Sequence, residues 1–238
     1  MHLLTTSNAK TLRGQGAGYL TMILHLAPAR LSGYQVCPMA TKGCAASCLN
    51  TSGRGRFART QAARVRRTRL FFEDRATFMA QLVDDIRAGV RKARREGLEP
   101  VVRLNGTSDI RFETIPLELE GARYPNIMSA FPELTFYDYT KLPNRRDLPP
   151  NYRLTFSRSS QGPDQVREIL RQGRNVAAVF RIGKRQELPQ FWDGLPVIDG
   201  DRDDLRFLDP AGVVVGLRAK GQAIKDRSGF VLEPTGAP

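Results

Sequence analysis

The sequence predicts an α/β fold on a parallel sheet, a partial or irregular (β/α) TIM-like barrel, with residues 1–238 forming a single domain. Three observations predict it. Short, almost continuous apolar runs recur along the chain, the pattern of strands buried on both faces. Helical stretches alternate with these runs, as in βαβ units. The helices between the later runs are too few and too short for eight complete units, which points away from a full barrel.

Leu20–Leu26 (LTMILHL) reads as the first buried strand, and a loop marked by proline and glycine follows at residues 27–55. Phe57–Phe72 holds neither Pro nor Gly and reads as an arginine-rich helix. Arg75–Glu96 reads as a second helix, with Phe78, Leu82, Ile86 and Val90 at spacings of four and Gly97 placed to stop it. Strand candidates then come at Val101–Asn105, Leu134–Asp138, Tyr152–Ser157, Asn175–Arg181, Pro196–Asp199 and Val213–Leu217. Asp164–Gln172 is helical, Pro143–Pro150 is a linker, and the tail at 221–238 is expected to be peripheral.

Composition narrows the class. Apolar residues make up 41% and charged residues 26% of the chain, as in ordinary globular proteins. No run of eighteen apolar residues exists, which excludes a transmembrane helix, and Met1–Gly18 lacks the apolar core of a signal peptide. An odd cysteine count in such a chain argues against a disulfide framework and for a reducing cytoplasm. The 37 Lys and Arg against 24 Asp and Glu leave a net charge of +13. A field of that sign attracts polyanions, so DNA, RNA or a nucleotide is the expected partner; the rival reading is that the excess only aids solubility.

The three cysteines stand together as Cys37-Pro-Met-Ala-Thr-Lys-Gly-Cys44-Ala-Ala-Ser-Cys48, a C-x6-C-x3-C spacing on the loop that leaves the first strand. Three thiolates so close in sequence can serve one metal centre, and soft sulfur donors suit an iron–sulfur cluster. In a four-iron (4Fe-4S) cluster, the form favoured here, three cysteines would leave one iron open; a three-iron cluster would be fully ligated. Two alternatives stay open. Zinc could take the three thiolates with His2 or His25, or the cysteines could be plain buried thiols.

Two further groups of residues carry chemistry. Arg54, Arg56, Arg59, Arg66 and Arg67 crowd the entry and one side of the basic helix, and their forked guanidinium groups match phosphate oxygens. The competing reading is a solvated face paired with Glu73, Asp74, Asp84 and Asp85. At the expected strand ends, Lys141 and Arg158 are candidates to hold a carboxylate or phosphate, and Asp199 a ribose hydroxyl. A polar residue at a strand end more often simply begins a loop.

The order of first strand, three-cysteine loop, helices and second strand with a polar turn resembles the radical S-adenosylmethionine (SAM) barrel. The stretch Cys37-Pro-x-Ala-Thr-x-Gly-Cys44-x-x-x-Cys48-Leu, with Asn50-Thr-Ser-Gly-Arg-Gly-Arg and Arg69-Leu-Phe-Phe-Glu-Asp, is similar more specifically to a phage gene-product family. The resemblance covers Leu20–Ile110 well and the later strands loosely. It implies a cluster on Cys37, Cys44 and Cys48 and a host-cytoplasm location, without supplying an activity. The radical-SAM pattern itself is C-x3-C-x2-C, and its second strand ends in a Gly-Gly-Glu type turn that receives the SAM amine. Here the turn is Asn105-Gly-Thr-Ser-Asp109, where Asn105, Ser108 and Asp109 could take that place or could form an Asx or Ser/Thr turn. Three functions follow: a radical-SAM-like enzyme, a non-enzymatic nucleic-acid-binding iron–sulfur protein, or a zinc-stabilised interaction module.

Overall fold

The computed structural model describes residues 2–7 and 9–234. In chain order its elements are β1 (Leu4–Thr5), α1 (Ala9–Gly16), β2 (Tyr19–Leu24), α2 (Lys42–Ala46), α3 (Ala58–Glu73), α4 (Arg75–Glu96), β3 (Glu99–Arg103), β4 (Leu117–Leu119), β5 (Ala122–Tyr124), α5 (Ile127–Ala130), β6 (Thr135–Thr140), β7 (Tyr152–Ser157), α6 (Pro163–Arg171), β8 (Val176–Phe180), β9 (Phe191–Trp192), β10 (Leu195–Asp199), β11 (Val214–Arg218) and β12 (Val231–Leu232).

Local chemistry explains the principal helices. Asp74 caps α4 by accepting the Thr77 N–H at 3.0 Å, and Gly97 ends it in the left-handed region at φ 66°, a conformation that costs glycine nothing. Between these caps Phe78, Leu82 and Ile86 fall on one face and are fully buried against the sheet. Burying each such side chain is worth about 1.5–3 kcal/mol. In α6, Pro163 occupies the first turn, where its missing N–H costs nothing, and Val166 and Ile169 turn inward.

The main sheet runs β1-β2-β3-β6-β7-β8-β11-β10-β9. The seven strands from β2 to β10 in that order are parallel, while β1 and β9 pair antiparallel at the two edges. No pair closes the sheet on itself among the described residues. The order follows the chain as far as β8 and then inverts, because β11 returns to lie between β8 and β10. One core packs α4 against the first strands, through Met22, Leu24, Val102 and Phe136. A second packs α6 against β7, β8 and β11. The opposite face at β3 and β6 carries Val101 and Tyr137 against Leu205.

Strands β7 and β8 separate toward the C-terminal end of β8. Strand β8 pairs with β7 only through Val176 and Ala177; further along, Val179 and Phe180 pair with β12 instead. The chain's last strand therefore fills the gap that opens where β7 ends. The expected peripheral tail is therefore only partly peripheral: Val231 and Leu232 join the sheet and give β8 backbone partners there, while Gly221–Lys225 forms a short helical turn outside it. Residues 235–238 of that tail lie outside the described residues. Among the described residues no helix is long and apolar enough to cross a membrane.

Candidate functional site

Beyond β2 the chain enters the cysteine loop, anchored by buried Leu26, Ala27 and Val36. The Ala27 N–H donates to Thr68 Oγ1 of α3 at 2.8 Å, Thr107 Oγ1 donates to the Leu26 carbonyl at 2.6 Å, and the Asp109 N–H donates to the Val36 carbonyl at 2.8 Å. Cys37 follows Val36 directly, with its thiol 3.7 Å from the Thr107 carbonyl. Cys44 lies in α2, whose start is capped by Thr41 Oγ1 accepting the Cys44 N–H at 3.2 Å. Gly43 sits so close to Ser228 that any Cβ there would collide with it, which docks α2 on the tail. Past Cys48, Asn50 is buried and clamped: Gln61 Nε2 donates to its carbonyl at 3.0 Å, and Arg64 donates to its side-chain oxygen.

The three cysteines, all free and half-buried, line one cavity of about 210 Å³. Its other walls include Arg103, the turn from Asn105 to Asp109, Tyr139 to Lys141, and Phe230 of the tail. It therefore lies at the C-terminal ends of the parallel strands, where crossover folds place their sites. Burial pushes the Cys37 thiol up to about 12 and raises those of Cys44 and Cys48 as well. Positive charge stands close by. The charges of Arg64 and Lys141 act against that rise, Arg64 at Cys48 and Lys141 at Cys44.

Lys141 is the most tightly held cation of the cavity. Its Nζ donates to Ser157 Oγ at 2.9 Å, to the Ser157 carbonyl at 3.0 Å and to the Arg158 carbonyl at 3.2 Å, and lies 5.2 Å from the Phe230 ring centre. Burial lowers its affinity for the proton, opposed by Cys44 and Asp109. Arg103, the more buried of the two, donates to Asp204 Oδ2 at 2.5 Å and stacks 4.7 Å from the Tyr139 ring. Burial disfavours its charge, but Asp204 and the neighbouring tyrosines and Asp138 outweigh that.

The Asn105 side chain closes the Asn105–Asp109 turn from within, though not in the i to i+2 pattern of an Asx turn. Asn105 Oδ1 accepts from Ser108 Oγ and from the Ile110 N–H, both at 2.8 Å, and its Nδ2 donates to the Ile110 carbonyl at 3.0 Å. Beneath it the buried Asp138 carboxylate accepts the Asn105 N–H at 2.7 Å and the Tyr152 hydroxyl at 2.9 Å. Asp109 accepts the Lys141 N–H at 2.7 Å and lies 3.3 Å from Arg145, which also binds Glu113 at 2.6 Å. Asn105, Ser108, Asp109 and Lys141 are thus brought together around the thiols, although Asn105 and Ser108 spend their polar groups on the turn itself.

Other expected residues stand apart from this cavity. Arg158 points away from it, donating to the Gln161 carbonyl at 2.6 Å and the Gly229 carbonyl at 3.0 Å, so it staples the tail. Asp199 faces the neighbouring groove, where Arg218 NH1 reaches both its oxygens at 2.9 Å. On the basic segment Arg54, Arg56, Arg59 and Arg66 are exposed, while Arg67 donates to the His2 carbonyl at 2.9 Å. The acids offered as their partners are mostly engaged elsewhere: Glu73 by Tyr34, Asp74 as a helix cap, Asp85 by His2 and the Leu3 N–H.

Sequence reasoning missed Arg103 and Phe230, while Ser157 was among the polar strand ends it expected near the site. The spacing of two between Arg103 and Asn105 was an available signal, since both side chains leave the strand on one side. Nothing local marked Phe230. Among the described residues no group of three His, Cys, Asp or Glu side chains is placed to hold a metal ion. A single zinc with bonds of about 2.3 Å would draw its sulfurs almost into contact. His25 is set among Arg64, Arg103 and Arg67, and His2 bonds Asp85 at 3.0 Å, so no Cys3His set is assembled. A polynuclear cluster spreads its thiolates around a wider body, and three soft donors lining one cavity fit that group.

A family profile described as Gene product 88 matches residues 2–234. The chain belongs to that family. No curated protein and no solved structure matches it. As a Gene product 88 member it agrees with the resemblance of its cysteine stretch to phage gene-product proteins.

Proposed function

We propose that this Gene product 88 member is an iron–sulfur protein in which Cys37, Cys44 and Cys48 hold a four-iron cluster with one iron free of protein thiolate. The observation that supports the reading is the convergence of all three thiols, with Lys141, on one cavity at the strand ends. On this reading the open sheet is a partial (β/α) barrel of radical-SAM type. The cluster, when bound, supplies one-electron chemistry at its open iron. The chain's own groups would do the rest. Lys141 and Arg64 offset the charge of the thiolates, Phe230 screens the cavity from water, and Asp109 offers a carboxylate to an ammonium group such as that of SAM.

Anaerobic reconstitution tests this. Iron and acid-labile sulfide should be present in the native chain with a reduced-cluster EPR signal, and Cys37→Ala, Cys44→Ala and Cys48→Ala should each lose most of both. A native protein that takes up no iron and sulfide refutes the reading. SAM should change the EPR signal, and dithionite with SAM should yield deoxyadenosine.

A second reading is favoured by the exposure of Arg54, Arg56, Arg59 and Arg66: a non-enzymatic iron–sulfur protein whose loop and basic helix contact DNA or RNA. A bound cluster with no deoxyadenosine formed, and nucleic-acid retention that falls steeply with salt, would select it.

A further inference from the structure

A second recess of about 1110 Å³ lies beside the cysteine cavity and is open to solvent. Its walls are the segments that leave the C-terminal ends of β8, β10 and β11, completed by Ser52 and Gly53 of the cysteine loop. These three strands are where the sheet order inverts, with β11 inserted between β8 and β10. In open α/β sheets the crevice beyond the strand ends at such an inversion is the place where ligands bind.

The groove is strongly cationic. Arg13, Arg181, Lys184, Arg202, Arg218 and Lys220 line it against only two carboxylates, Asp199 and Asp201. Part of this set shapes the wall: Arg218 holds Asp199, Lys220 pairs with Asp201, and Arg181 binds Glu233 at 2.6 Å. Arg13 donates to the Asp201 carbonyl, which leaves Lys184 and Arg202. Lys184 is exposed and makes no ion pair among the described residues, and Arg202 is 82% exposed with Asp203 at 3.3 Å. Between the charges lie apolar surfaces at Ile182 and Ile224, the latter 57% exposed. Gly53 opens the turn that carries Arg54 and Arg56.

We infer that this groove binds single-stranded nucleic acid, with phosphates on Lys184 and Arg202 and bases against Ile182 and Ile224. A cationic groove tracks the backbone of an unpaired strand, and here the aliphatic faces of Ile182 and Ile224 stand where aromatic rings commonly take the bases. A duplex presents its phosphates on a convex cylinder and suits a protruding helix or ribbon rather than a recess. Asp201, Arg218 and Lys220 line both the groove and the cavity, so a bound strand would lie one shared wall away from the thiols. What that nearness does rests on the cluster reading; strand binding does not.

The test is fluorescence anisotropy of the full chain with a short labelled oligothymidylate and its RNA counterpart, between about 50 and 200 mM salt. K184Q/R202Q should bind about tenfold more weakly at the lower salt, with the log–log salt slope flatter by about 1.4, two contacts at about 0.7 each. Its melting temperature should match the native one. R91Q/R95Q, on the distant exposed side of α4, should bind normally. The proposal fails if native protein does not bind, if R91Q/R95Q weakens binding equally, if only R59Q/R66Q weakens it, or if a duplex of the same sequence binds more tightly. Iron and sulfide measured on the same preparations separate the two readings. Iron-free protein that still binds supports the groove and removes the cluster; iron-loaded protein that does not bind does the reverse.

Discussion

His25 is a neutral imidazole held among cations. Burial first, then the fields of Arg64, Arg103 and Arg67, lower its pKa to about 3, with Asp204 opposing. In the unfolded chain it protonates near 6.5. Between those values the unfolded state takes up a proton that the folded state refuses, so this residue's contribution to stability is lost as pH falls through the window. The limiting slope is about 1.4 kcal/mol per pH unit. Asp138 and Asp209 act in the opposite sense: burial raises both to about 6, so each protonates in the fold before it does in the unfolded chain and favours the fold on acidification. The difference between His25→Asn and native protein isolates the histidine. Urea unfolding from pH 6.5 down to 4 should show the variant losing less stability than the native chain; parallel curves would refute it. At this scale the cysteines were legible because their grouping is local in sequence. The role of Asn105 was not, since its partner Asp138 lies on another strand and only the fold brings them together.

The junction between β3 and its turn depends on one element approaching another more closely than a side chain allows. The Gly106 N–H donates to the Leu24 carbonyl at 3.0 Å, and a Cβ at Gly106 would stand 2.7 Å from that oxygen and 2.8 Å from Ile23 Cγ2. Gly106→Ala must push β2 and the turn apart, an overpacking that costs about 1–3 kcal/mol. Thermal unfolding should fall accordingly, and unaltered melting would show that the junction is looser than its geometry. Helix α4 was readable to its ends, because Asp74 and Gly97 are local signals. The inversion of β10 and β11 was not, because strand order follows from long-range pairing that no local pattern encodes.

For the molecule as a whole, the cavity is finished by residues far away in sequence. Phe230 forms part of its wall, and Val231 and Leu232 extend the sheet beside β8. A chain ending at Asp226 should keep the core around α4, melt at lower temperature and expose the cysteines. Thiol labelling of iron-free protein by a disulfide reagent should then be markedly faster than in the full chain; an unchanged rate would show that the tail does not close the cavity. The basic composition was evident from the start. That it collects at the strand-order inversion was not, because Lys184, Arg202 and Lys220 come from three different connections.

The pairing of β12 beside β8 also sets an order in time. On the ribosome, roughly 180 residues are added between Cys48 and Phe230, which at about 5–20 residues per second takes on the order of 10–40 seconds. Throughout that interval the cysteine loop exists without its covering wall. A reagent that met the thiols during synthesis would find that side of the cavity open, and one that arrived afterwards would meet the Phe230 wall in place.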